Sequence, residues 1–216
     1  MATRRRQAEP DTAAQILDVA ERLVQGRGFN GFSYADVASE LKITKPALHY
    51  HFASKAELGE ALITRYATRF AAALDDLDSS AIDAPAKLER YVSLYLEVLR
   101  DKRMCLCGML AAEYQTLPLP MRDAVVSFFD HNETWLEAVL EQGRCQGTLN
   151  FEGTARNEAR VIVAGLEGAM LLARPYGDIA RFEAAASHLV QEVLTHASDT
   201  ATITDRKPTK RRRRVP

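Results

Sequence analysis

The chain has 216 residues, 47% hydrophobic and 26% charged, with 28 Lys and Arg against 29 Asp and Glu. Such a balance excludes a disordered or low-complexity chain and leaves room for one large domain, or a small one joined to a larger. No apolar run approaches the roughly 20 residues of a membrane span, no apolar signal core opens the chain, and a cytoplasmic protein with its three cysteines reduced is expected.

The near-neutral sum hides a separation of charge. Arg4, Arg5 and Arg6 stand at the front, Arg206, Lys207, Lys210, Arg211, Arg212, Arg213 and Arg214 at the back, and the body between them is acidic by 11. Residues 1–10 read as a basic flexible arm that could track phosphates or the minor groove, adding salt-dependent affinity indifferent to sequence. Residues 199–216, which contain KPTKRRRRVP, read as a disordered basic tail. A simple solvated end is the plain alternative for both.

The first helix is expected from about Asp11 to Arg27, with Ile16, Leu17, Ala20, Leu23 and Val24 on one stripe and Gly28 ending it. Phe29 and Phe32 are expected to pack beneath the next two helices. From Ser33 to Phe52 the pattern gives two short helices and a tight turn. Ser33 is an N-cap with Asp36 three residues on, and Tyr34, Val37, Ala38 and Leu41 form the buried face. Lys42 and Ile43 make the turn. Thr44 caps the second helix, with Pro46 in its first turn, and the helix runs to about Tyr50. Ala47, Leu48 and Phe52 are expected inside, leaving Thr44, Lys45, Pro46, His49, Tyr50 and His51 outside. Donors, a cation and small residues in the first turn of an exposed helix suit the DNA major groove, where the N-terminal residues of a reading helix reach base edges. A plain helical hairpin with a polar face fits the periodicity equally well. Ser54 and Glu57 form a further capping box, opening a helix to about Leu77, and Lys55 beside free amides suits a phosphate contact.

Over Asp11 to about Ile63, the residues ILDVAERLVQGRGFNGFSYADVASELKITKPALHYHFASKAELGEAL resemble the N-terminal domain of the TetR/AcrR family of transcriptional regulators. The resemblance rests on Gly28-Phe29, Gly31-Phe32, the Ser33 cap, Thr44-Lys45, His49-Tyr50-His51-Phe52 and Ser54-Lys55. Where family members often have Gly-Thr or Ala-Ser-Leu-Tyr in the reading helix, this chain has Pro46-Ala47-Leu48-His49, which bears on the target sequence and not on the fold. The resemblance implies an all-α protein. Residues 11–58 would be a three-helix DNA-binding domain with a helix-turn-helix, and 59–198 an effector-binding and dimerisation domain. It implies DNA contacts from Ser33, Thr44, Lys45, Pro46, Ala47, His49, Tyr50, His51 and Lys55.

Beyond a polar break at Asp78 to Pro85, helices are expected at about Pro85 to Asp101, Met104 to Gln115, Pro120 to Cys145, Thr154 to Tyr176 and Asp178 to Ala197. Ala164, Gly165, Gly168, Ala169 and Ala173, then Ala184, Ala185 and Ala186, crowd small residues onto the last two. Close packing is expected there, because Gly in a helix costs about 1 kcal/mol against Ala. The resemblance implies pairing with a second subunit; a contact within one subunit is the alternative. Cys105 and Cys107 follow Arg100, Lys102 and Arg103, a setting that favours thiolate and makes both candidate sensors, Cys105 the better placed. Buried thiols acting as small hydrophobes are the alternative. CLCGMLAAEYQTLPLPMRDAV also resembles the ligand domain of a TetR subgroup that includes NemR-like and AcuR-like repressors, which respond to electrophiles or to an acryloyl thioester. Tyr91, Tyr95, Met109, Tyr114, Phe128 and Trp135 could line an effector pocket or form plain core.

The expectation is a non-enzymatic, homodimeric repressor with no cofactor and no metal, bound to an inverted-repeat DNA operator. A small-molecule effector or cysteine modification would release it. An all-α redox or thiol enzyme, or a nonspecific nucleic-acid-binding protein using the basic ends, are the rivals. No phosphate loop, nucleophile elbow or paired metal motif supports the enzyme.

Overall fold

A computed structural model describes residues 11–194, so the basic arm and the basic tail lie outside the described residues. Within these residues nine α-helices run in order: α1 (Thr12–Arg27), α2 (Tyr34–Leu41), α3 (Lys45–His51), α4 (Lys55–Ser79), α5 (Ala84–Arg100), α6 (Leu106–Ala112), α7 (Leu119–Gln146), α8 (Ala155–Ala173) and α9 (Ile179–Val193). Short polar side chains start most of them. Asp11 accepts from the Ala13 amide at 3.0 Å, Ser54 from Glu57 at 3.2 Å, and Asp83 from Ala86 at 3.0 Å. Each satisfies an amide that the first turn leaves free.

Three boundaries differ from the expected ones for local reasons. The helix expected over Met104 to Gln115 is shorter. Cys105 remains extended as its N-cap, and the chain leaves it at Glu113 for a single 3-10 turn, Tyr114–Thr116. Pro175 has no N–H to continue the ladder, so α8 stops at Ala173 and a 3-10 turn, Arg174–Tyr176, succeeds it. The last helix ends at Val193, where the Asn150 amide takes the Val193 carbonyl at 2.9 Å and Leu194 bridges to Leu149.

Helix α1 packs on α2, α4 and α6, α2 on α3, α4 on α7, and α7 and α9 on either side of α8. One apolar core runs through all nine, from Ile16 to Val193. With 25 residues, α4 spans about 37 Å and passes from the α1–α3 group into the larger helical group. A buried carboxylate fixes its attitude: Glu21 accepts from Arg65 Nη2 at 2.7 Å and from Arg69, while Arg65 also bonds Asp18 at 2.7 Å. No described helix is long and apolar enough to cross a membrane.

Lys42 closes the turn between α2 and α3 in the left-handed region, at φ 55°. Its amide bonds the Ser39 carbonyl, and the Ile43 amide bonds that of Ala38 at 3.0 Å, the double closure that usually falls to glycine. Lys42→Gly should therefore stabilise the chain by up to about 1 kcal/mol in a urea titration. A loss of stability would show that the lysine side chain outweighs the backbone strain.

Candidate nucleic-acid interface

Helices α2 and α3 meet through a mostly polar turn, and α3 contributes a single fully buried side chain, Leu48. Thr44, Lys45, Pro46, His49, Tyr50 and His51 are exposed as expected. Ala47 is exposed too, against the expectation that it packs inside. A seven-residue helix held by Leu48 has only one side on the core, and Ala47 falls off it. Phe52 is half-buried, its carbonyl receiving the Tyr34 hydroxyl at 2.9 Å. Burial, with the nearby Glu57 carboxylate, pushes the Tyr34 phenol up to about 12, so it remains a donor that ties α2 to the end of α3.

The outward residues are not equally free. Ser33 gives both its amide and its hydroxyl to Asp36, at 2.7 and 2.6 Å. Those bonds, the hydroxyl's first, hold the Asp36 carboxyl below its usual range. Thr44 Oγ1 accepts from the Ala47 amide at 3.3 Å. His49 packs on Tyr34 with the rings tilted and their centroids 4.7 Å apart, and its Nδ1 lies 3.1 Å from the Ala53 carbonyl. Tyr50 is 87% exposed, so its ring and hydroxyl are available to whatever α3 meets. The result is an exposed head on which Lys45 and His49 share one side of α3, with the Tyr50 phenol beside them.

Lys55 departs from the expected phosphate contact. Its ammonium turns inward, donating to the Phe29 and Phe32 carbonyls at 2.5 Å each and lying over both rings, 4.6 and 4.3 Å from their centroids. Desolvation lowers its pKa, while the Glu113 and Asp36 carboxylates act the other way. The physical reason is local: the Gly28–Phe32 loop leaves carbonyls with no helical partner, and the nearest cation takes them. On the far side of the loop, Glu113, the residue ending α6, accepts from the Phe29 amide at 2.6 Å and the Asn30 amide at 3.2 Å. The loop is thus clamped between a carboxylate of the larger helical group and a cation opening α4. Nothing in the sequence pointed to Glu113, 84 residues from its partner.

The candidate sensors also differ from expectation. Cys105 is 2% exposed and Cys107 fully buried. Burial raises the Cys105 thiol well above its ordinary value, and the Glu167 carboxylate, to which it donates, raises it further. The cations upstream do not offset this, since Arg103 is engaged with Asp101 and Gln25 instead. A thiolate at Cys105 is therefore disfavoured, contrary to the reading from its neighbours in sequence. Cys105 instead joins a buried polar group: Tyr66 donates to its sulfur at 3.6 Å and the Gly108 amide at 3.5 Å. Glu167 Oε1 in the same group has no partner. Among the described residues no cluster could hold a metal.

Tyr91, Tyr95 and Phe128 meet Phe70 edge to face, and Trp135 stacks on Tyr91, in one aromatic core. Tyr91 sits 3.0 Å from the Tyr95 hydroxyl and 3.2 Å from Asn132. Of these, Phe70, Phe128 and Asn132 border a groove of about 370 Å³ between α4 and α7, and Tyr91, Tyr95 and Trp135 do not. The small residues of α8 divide. A Cβ on Gly165 would meet Leu189 of α9 at 2.6 Å, a contact within the subunit, whereas one on Gly168 would meet nothing. Gly168 lies among exposed Val161, Ala164 and Leu171 on an uncovered face.

Two family models match the chain: "Bacterial regulatory proteins, tetR family" over residues 16–62 and "Tetracyclin repressor-like, C-terminal domain" over 84–189. A TetR-family transcriptional regulator from Agrobacterium tumefaciens superposes with TM-score 0.82 at 34% identity, covering 85% of this chain and 97% of that one. The transcriptional repressor NemR of Escherichia coli is 27% identical over 195 residues, 88% of this chain and 97% of NemR. The transcriptional regulator AcuR of Cereibacter sphaeroides is 26% identical over 152 residues, covering 68% of this chain and 69% of AcuR.

Proposed function

The chain belongs to the TetR family of bacterial regulatory proteins, non-enzymatic DNA-binding transcriptional regulators, and from that premise we propose that it is a homodimeric repressor released from its operator by a small-molecule effector. The observation that carries the DNA side is the α3 face, where Lys45, Pro46, Ala47, His49 and Tyr50 are all exposed and Leu48 alone anchors the helix. Residues 11–58 are the reading unit, and the helices after it hold effector and partner. The uncovered face through Val161, Ala164, Gly168 and Leu171 supports pairing with a second copy. Two heads related by a twofold axis suit an inverted repeat.

Release is a population shift, effective only as far as the effector prefers the state that cannot bind DNA. The clamp on the Gly28–Phe32 loop supports a route for it, because a movement of α6 carries Glu113 with it. Oxidation of a primed thiolate is not part of the proposal, given the burial of Cys105.

Lys45→Ala should weaken binding to the operator upstream of the chain's own gene by about 1–3 kcal/mol, about five- to a hundred-and-fiftyfold, as loss of one base or phosphate contact does. A fluorescence-anisotropy titration at fixed salt reads this. Unchanged affinity in Lys45→Ala, or binding indifferent to sequence, would favour a nonspecific nucleic-acid-binding protein instead.

A further inference from the structure

A cavity of about 470 Å³ lies where the end of α5, the approach to α6 and the α8–α9 corner meet. Its floor is apolar, with Leu99, Met104 and Ala173 buried beneath it. Arg100, Lys102, Arg103 and Arg174 line it against a single acidic side chain, Asp178. The carboxylates nearby offset this excess only in part. Asp178 is taken by Arg181 at 3.6 Å and by the Ala180 amide at 3.1 Å. Arg100 reaches Glu183 only at 3.8 Å, and Arg103 pairs with Asp101. Lys102 has no ion pair among the described residues. It holds the left-handed position that closes α5, at φ 57°, its amide on the Leu99 carbonyl at 2.8 Å and the Arg103 amide on Val98 at 3.0 Å.

Two of the four cations reach out of the cavity to the reading unit. Arg103 Nη1 donates to Gln25 Oε1 at 3.3 Å, and Arg174 donates to the Gly26 carbonyl. Both acceptors belong to the last turn of α1, the negative end of that helix, where a cation is favoured. An anion arriving in the cavity competes for the same guanidinium groups, and a charged acceptor outcompetes a neutral carbonyl or amide oxygen.

We propose that this cavity binds an amphipathic organic anion, a carboxylate or phosphate head on a short apolar tail. Its occupancy draws Arg103 and Arg174 off the end of α1. The head sits among the cations and the tail covers Leu99, Met104 and Ala173; a cavity of this size and mixed lining is ordinary for a small ligand. Only the consequence for DNA rests on the repressor reading; the binding itself does not.

The test is isothermal calorimetry on the full chain without DNA, using octanoate and octyl phosphate, with octanol and octylammonium as charge controls. The expected result is saturable binding of at least one anion and of neither control, weakened about tenfold or more, at least 1.4 kcal/mol, in both Lys102→Asn and Arg174→Gln. Asn accepts the left-handed backbone at 102, and melting curves check that Arg174→Gln remains folded. The better of the two anions identifies the head group. No saturable heat with either anion, equal binding of octanol, or undiminished binding in the two variants overturns the site. The bound anion should then weaken operator binding in the wild type and not in Lys102→Asn. Anion binding that leaves the operator affinity untouched overturns the link to α1. A chain that takes the anion but binds no operator at all overturns the repressor reading and leaves the site standing.

Discussion

Glu167→Gln should be more stable than the wild-type chain at pH 8, by up to about 3 kcal/mol, with the advantage reduced to less than about 1 kcal/mol at pH 5. Burial raises the Glu167 carboxyl from an ordinary 4.5 to about 7, with the Cys105 thiol, which donates to it, pulling the other way. Its Oε1 has no partner, so the ionised form meets too few donors to offset its desolvation. Between those two pKa values the folded chain holds a proton that the unfolded chain has lost. Stability therefore falls as pH rises from about 4.5 to about 7 and is level above, at about 1.4 kcal/mol for each pH unit. Glutamine has nearly the shape of the protonated acid and no charge to lose, so this component of the slope vanishes. Urea unfolding at pH 5, 6, 7 and 8 reads the difference. Parallel stability curves for the two proteins would mean that Glu167 is solvated in the folded state.

The second large effect concerns the clamp between the two helical groups. Glu113→Ala removes the acceptor from the Phe29 and Asn30 amides and should cost about 2–3 kcal/mol, the range for charge-assisted bonds in a part-buried setting. Gly28→Ala should cost a similar amount by another route. Its φ of 83° suits glycine, and a Cβ there would stand 2.5 Å from Glu113 Oε1, displacing the same carboxylate. Because both changes break one contact, the double variant should be less destabilised than the two single losses added, by about 1 kcal/mol or more. Full additivity would show that the Glu113 carboxylate is not what Gly28 makes room for. The same variants separate holding from reading. Loss of the clamp should blunt the response to effector while the exposed residues of α3 retain their form.

The parts of the molecule legible in the sequence are those whose causes are local. Thr44 and Ser54 cap helices because a short acceptor next to free amides does so in any context. The α2–α3 turn and the outward set Thr44, Lys45, Pro46, His49, Tyr50 and His51 arise from periodicity within twenty residues. Where a short helix has one anchor, periodicity is weaker, and Ala47 went to solvent against the expectation.

The sequence by itself determined that the chain is all-α, that a helix-turn-helix lies between Ser33 and Phe52, and that the helix opened by Ser54 continues from it into a larger helical group. Only the tertiary structure decided the roles of Lys55, Cys105, Glu113, Gly165 and Glu167. Neighbours in sequence made Lys55 look like a phosphate contact and Cys105 a thiolate. The folded chain instead brings two loop carbonyls to the lysine and a buried carboxylate to the cysteine. Gly165 proved to make room for Leu189, while Gly168 faces outward from the same helix. In each case the deciding term is desolvation or contact with a residue distant along the chain. Such terms have no period and no fixed spacing, and they come into being when the helices pack.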